Sequence, residues 1–156
     1  IEDSADGRWV PQFLSLSAAI DNSCKDQTLN TPALATIVMA ERQVRWLLER
    51  GGMDEVSAHC AQASSLIYDW AETSLAARPF VENPTWRSPV TATIEIDEAV
   101  AASELVAHLR ARGIVDIGAY RGVGVNQLRI GTWPSVEIED VEAFLACIDY
   151  CLERVL

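Results

Sequence analysis

Arg129 and Arg121 are the side chains best suited to holding a small anionic ligand. Arg129 falls within a predicted strand, between Leu128 and Ile130, where a guanidinium is costly unless an anion meets it. Arg121 sits in Tyr120-Arg121-Gly122-Val123-Gly124, a glycine-rich loop leading into that strand. One arginine on a loop and one on a strand could grip the two anionic ends of a small substrate, because the planar fork of arginine binds carboxylate or phosphate in a bidentate way. The same residues allow a plainer arrangement, in which Arg129 pairs with an internal carboxylate or lies on a solvated sheet face. The Gly-x-Gly adds little, since it does not follow a strand and open a helix as a phosphate-binding turn does. The second candidate is Asn30-Thr31-Pro32 at a predicted helix start, where unpaired N–H groups and the helix dipole suit an anion. There too a plainer reading exists: Thr31 caps the helix and Asn30 shapes the turn.

Other reactive residues point to less. Cys24, Cys60, Cys147 and Cys151 form no Cys-x-x-Cys pair, and no His or carboxylate completes a metal site around them, so Cys147 and Cys151 are expected to pack in a core. His59 and His108 fall in helical patterns and read as structural or surface groups. Of the 12 basic residues, Lys25 is the only lysine, so chemistry that needs a lysine amine must use Lys25 or look elsewhere. The net charge of −11 repels phosphate backbones and anionic lipid, which argues against nucleic acid and membrane partners. No apolar run approaches the ~18 residues of a membrane span, and no basic-then-apolar leader is visible, so a cytoplasmic setting is expected. The chain opens on Ile1 rather than Met and is expected to be a piece of something longer.

The elements that must position these residues follow from hydrophobic period. The 156 residues suffice for one ordinary core. Residues 1–29 read as an extended or partly helical lead-in. A helix is predicted from Pro32, capped by Thr31, with the stripe Leu34, Ile37, Val38, Val44, Leu47 and Leu48 and a stop at Gly51-Gly52. A second runs from Asp54 to near Leu75, and Pro79, Pro84 and Pro89 then punctuate a linking loop. Alternation at Val90, Ala92, Ile94 and Ile96 predicts a half-buried strand. A helix with Leu105 and Leu109 inward, a brief strand over Ile114 to Ile117, a strand over Asn126 to Trp133 and a final helix through Val141, Leu145, Ile148 and Val155 complete the pattern. Acidic residues crowd the start of that last helix and Arg154 its end, as the dipole favours. The fold class is therefore α+β: two N-terminal helices followed by a β-α-β-β-α sandwich with an antiparallel or mixed sheet. The domains expected are 1–52, a lead-in and long helix, and 53–156, a small α+β domain.

Taken together, Gly7-Arg8-Trp9-Val10-Pro11, Asn30-Thr31-Pro32, Trp46-Leu47 with Gly51-Gly52, Arg110-Ala111-Arg112-Gly113-Ile114, and Tyr120-Arg121 through Asn126-Gln127-Leu128-Arg129 resemble the C-terminal part of the phosphoserine aminotransferase family, fold-type I enzymes that use pyridoxal phosphate. The resemblance implies a homodimer with sites at the subunit interface and amino transfer between L-glutamate and 3-phosphohydroxypyruvate in serine biosynthesis. It implies that Asn30 and Thr31 hydrogen-bond the cofactor phosphate of the neighbouring subunit. Arg129 would hold the substrate α-carboxylate, with Arg121 near the substrate phosphate and Tyr120 where many members carry histidine. Residues 1–52 would join a large cofactor domain. The cofactor-anchoring lysine would lie in that domain, leaving no catalytic residue here and the fragment alone inactive. Two other functions are weighed against this one: a related aminotransferase acting on an unphosphorylated substrate, and a non-catalytic regulatory α+β domain that binds an amino acid.

Overall fold

A computed structural model of the chain describes residues 9–121 and 126–154. The expectations that fall on Gly7-Arg8, on Gly122 to Val125 and on Val155 lie outside the described residues. The chain divides into two compact units, Ile1–Trp46 and Leu47–Leu156.

In the first unit a 3-10 turn (Gln12–Leu14) precedes helix α1 (Leu16–Ser23), whose start is capped by the Ser15 side chain accepting from the Ala18 N–H at 3.1 Å. The lead-in is thus partly helical. Helix α2 (Leu34–Glu49) begins two residues later than predicted. Its first i→i−4 bond runs from the Ile37 N–H to the Ala33 carbonyl, and the Leu34 N–H turns back onto the Pro32 carbonyl at 2.9 Å. Thr31 therefore precedes the helix and does not cap it. The expected stripe on α2 is exposed at Leu34, Ile37, Val38, Val44 and Leu48.

The second unit holds the core. Helix α3 (Gly52–Thr73) opens at Gly51, whose φ of +99° favours glycine, and a Cβ there would lie 2.6 Å from Glu55 Cγ. Strand β1 (Ala77–Pro79) follows, then a 3-10 turn (Pro84–Trp86), strand β2 (Thr91–Ile96), helix α4 (Ala102–Arg110), strand β3 (Gln127–Gly131) and helix α5 (Ile138–Arg154). The three strands form an antiparallel sheet in the order β1-β2-β3. The α+β class and the antiparallel pairing are as expected, but the order of elements differs. Residues 77–79 form an edge strand inside the presumed linker, while 114–117 is not a strand: that segment meets β3 only through a Gly118–Leu128 bridge and the Ile117 carbonyl, which accepts from the Arg129 N–H at 2.9 Å.

Alternation on β2 sends Ala92, Ile94 and Ile96 under the helices and leaves Thr91, Thr93 and Glu95 on the other face. Helices α3, α4 and α5 cover the first face, and Ile67, Ile94, Leu105, Leu109, Leu128 and Ile148 are fully buried between the layers. Each such side chain contributes about 1.5–3 kcal/mol over its exposed state. Asn126 ties the sheet to α4. Its Nδ2 donates to the carbonyls of Ile96, Asp97 and Val100 at 2.8, 3.1 and 3.0 Å, and its Oδ1 accepts from the Ala102 N–H at 2.8 Å, supplying the cap that Ala101 cannot. Cys60 and Cys151 are buried, as core packing requires; Cys147 is exposed, a correction that follows from its place on the outer face of α5.

Candidate anion-binding groove

The face of the sheet turned away from the helices carries the polar half of each strand. Across it, Arg78 pairs with Glu95, donating from Nε at 2.8 Å, and Thr93 stands opposite Arg129 in the β2–β3 ladder. Glu95 is the carboxylate this face supplies, and Arg78 takes it at the far edge. Among the described residues no carboxylate lies within ion-pair distance of Arg129 or Arg121. The partner that Arg129 does have is neutral: its guanidinium carbon lies 5.0 Å from the centre of the Tyr120 ring. A ring at that distance orients the cation without occupying its N–H groups. Arg129 is half-buried and Arg121 exposed.

Arg129 lines a groove of about 730 Å³ with Thr91, Ile117, Gly131, Trp133 and Phe144. Asp116 and Asp140 line it as well, and Asp116 pairs loosely with Arg110 at 3.4 Å. Beyond β3 the chain is fixed at several points. Arg50 donates from Nη1 to the Pro134 carbonyl at 3.1 Å and from Nη2 to Glu137 at 2.8 Å. The His59 Nε2–H donates to the Val136 carbonyl at 2.8 Å, which makes this histidine structural, as expected. The hydrogen bond from Arg50, with its charge beside it, holds the Glu137 carboxyl below the usual range.

Of the residues singled out from sequence, Tyr120 and Arg129 are brought into contact, and Arg121 adjoins Tyr120 in the chain. Asn30 and Thr31 belong to the first unit, where both are exposed and their side chains meet no partner among the described residues. Trp133 and Gly131 were missed. The break at Pro134 placed Trp133 at the end of a strand, and nothing local shows that its ring folds back over Gly131. Among the described residues no group of three His, Cys, Asp or Glu is placed to hold a metal ion, and no helix is long and apolar enough to cross a membrane.

The curated proteins and solved structures that this α+β chain resembles are aminotransferases. Phosphoserine aminotransferase from Rhodococcus jostii is 46% identical over 155 residues, which is 99% of this chain and 41% of the relative. The solved phosphoserine aminotransferase from Bacillus circulans subsp. alkalophilus superposes with a TM-score of 0.78 at 27% identity, over 90% of this chain and 38% of that one. The pyridoxal-phosphate-bound enzyme from Trichomonas vaginalis shares the fold with a TM-score of 0.74 at 19% identity, over 90% of this chain and 39% of its own. No family model matches the chain. The kinship is with phosphoserine aminotransferases, and the chain spans about two fifths of their length.

Proposed function

We propose that this chain is the C-terminal part of a cytoplasmic, homodimeric phosphoserine aminotransferase that exchanges an amino group between L-glutamate and 3-phosphohydroxypyruvate, giving 2-oxoglutarate and O-phospho-L-serine for serine biosynthesis. The observation that carries the reading is Arg129: a half-buried guanidinium on a strand, braced by a ring and with no carboxylate within ion-pair distance among the described residues. Both amino acids of the reaction carry an α-carboxylate, so one fixed arginine serves both half-reactions. Arg121, with Tyr120 beside it, meets the group that differs between them, phosphate in one and side-chain carboxylate in the other. Residues 1–52 join the small domain, 53–156, to a large cofactor domain.

Pyridoxal phosphate, when bound, supplies the electron sink that makes an amino group exchangeable. Asn30 and Thr31 suit its phosphate: each offers a donor with no partner among the described residues, just ahead of the N-terminus of a sixteen-residue helix. In the homodimer these two residues act on the neighbouring subunit's cofactor. Lys25 lies in the first unit and is given no catalytic role; the lysine that anchors the cofactor belongs to the large domain. The isolated chain is accordingly inactive.

The test is an assay of the whole protein with L-glutamate as donor. The reading expects 3-phosphohydroxypyruvate to be accepted with a kcat/KM at least about a hundredfold above unphosphorylated hydroxypyruvate, the worth of roughly two charge-assisted hydrogen bonds. Equal use of the two keto acids would move the assignment to an aminotransferase of unphosphorylated substrates.

A further inference from the structure

Gly131 follows Arg129 by two residues on the same strand, so the two share a face of the sheet about 7 Å apart. A Cβ built on Gly131 would lie 2.7 Å from Trp133 Nε1 and 3.0 Å from Trp133 Cδ1. The pyrrole edge of the indole therefore rests on the bare backbone of Gly131, occupying the space that a side chain would fill. That seat lies next to Arg129, and all three residues line the same groove. The backbone that carries the indole is fixed, since the Pro134 and Val136 carbonyls accept from Arg50 and His59 and the Val136 N–H donates to the Trp133 carbonyl at 2.9 Å. Yet the residue is 55% exposed and its indole N–H has no partner among the described residues. Packing does not explain an indole seated on a fixed backbone, open at its surface and set beside a guanidinium that has no carboxylate partner among the described residues.

We propose that Trp133 is a further substrate-contacting residue of the Arg129 groove, and that Gly131 determines specificity by leaving room for it. The inference rests on the proposed role of Arg129. The indole forms one wall of the groove beside the guanidinium and limits the space open to the substrate there. Short amino and keto acids with an anionic side chain fit against that wall, and keto acids with bulky side chains are kept out.

The experiment is a double-mutant cycle in the whole enzyme, with Trp133→Ala, Gly131→Ala and the double variant assayed against glutamate and 3-phosphohydroxypyruvate. Trp133→Ala is expected to raise KM about fivefold with kcat within twofold, and Trp133→Phe to recover part of the loss. Gly131→Ala, which pushes the indole off its seat, is expected to raise KM to a similar degree. In the Trp133→Ala background it should add nothing, because its effect passes through the ring. The inference is overturned by an unchanged KM in Trp133→Ala, or by additive effects in the double variant. Should Gly131→Ala not fold, the exposed Trp133 variants decide the matter by themselves. Arg129→Ala is the control: if it leaves KM unchanged, the site itself has been misassigned and the inference falls with it. A raised KM in Arg129→Ala beside an unchanged KM in Trp133→Ala refutes the role of Trp133 alone.

Discussion

Arg87 and Arg129 both lie over tyrosine rings, 4.6 Å from Tyr68 and 5.0 Å from Tyr120, but the rest of their surroundings differ. Arg87 is nearly buried and its fork is filled. Its Nη1 lies 2.7 Å from Glu72 Oε1, Nε donates to the Val81 carbonyl at 3.0 Å, and Nη2 donates to the Glu82 carbonyl at 3.3 Å. That guanidinium ties the loop after β1 to helix α3. Arg129 has the same kind of aromatic neighbour and, among the described residues, none of the acceptors. A ring contact alone does not separate a structural arginine from a binding one. The difference lies in whether the N–H groups are already bonded to the protein's own oxygens.

Three substitutions or conditions sharpen that contrast. Arg87→Ala is expected to destabilise the protein by about 2 kcal/mol, a value kept modest because Glu72 is partly exposed, while leaving substrate KM unchanged. Thermal unfolding paired with steady-state kinetics checks both halves, and a change in KM at full stability would erase the distinction. At the other arginine the ring should matter less than the charge. Tyr120→Ala is expected to raise KM about threefold and Tyr120→Phe to leave it within twofold, because the interaction is with the π face. A phenylalanine variant as impaired as the alanine one would point instead to the phenolic oxygen.

The smallest effect concerns pH. Burial pushes the Tyr68 hydroxyl above its ordinary 10.0, against its hydrogen bond to the Thr93 backbone and the charge of Arg87, and burial likewise raises the Cys60 thiol. Both groups bind their protons more tightly folded than unfolded. Their contribution is therefore complete below the ordinary values and is lost as pH rises through the raised ones. As pH rises above the ordinary values of 9.0 and 10.0, the melting temperature should fall more steeply than in a Tyr68→Phe, Cys60→Ala variant. Parallel curves for the two proteins would contradict it.

What could be read in advance depended on range. The alternation of Ala92, Ile94 and Ile96 and the stripe Val141, Leu145, Ile148 placed β2 and α5 within a residue or two, because one buried face imposes a strict period. Strand β1 escaped because three residues ending in proline show no alternation, and it exists through pairing with β2. Ile114 to Ile117 was apolar enough to suggest a strand, yet it follows a Gly113 at φ +90° and gains only one bridge to β3. At the site, Arg129 was conspicuous as a charge within an apolar run. The filling of Arg87's fork, the fourfold bonding of Asn126 and the seat of Trp133 on Gly131 all join residues that local pattern does not connect, so none was legible.

In the proposed reaction Arg129 offers its fork to the α-carboxylate of both substrates. The most direct test of that role is Arg129→Ala in the whole enzyme, with KM measured separately for L-glutamate and for 3-phosphohydroxypyruvate. Both values should rise tenfold or more, about the worth of one charge-assisted pair, with melting temperature unchanged. Unaltered KM for both substrates, or a loss of stability in place of a loss of affinity, would contradict it.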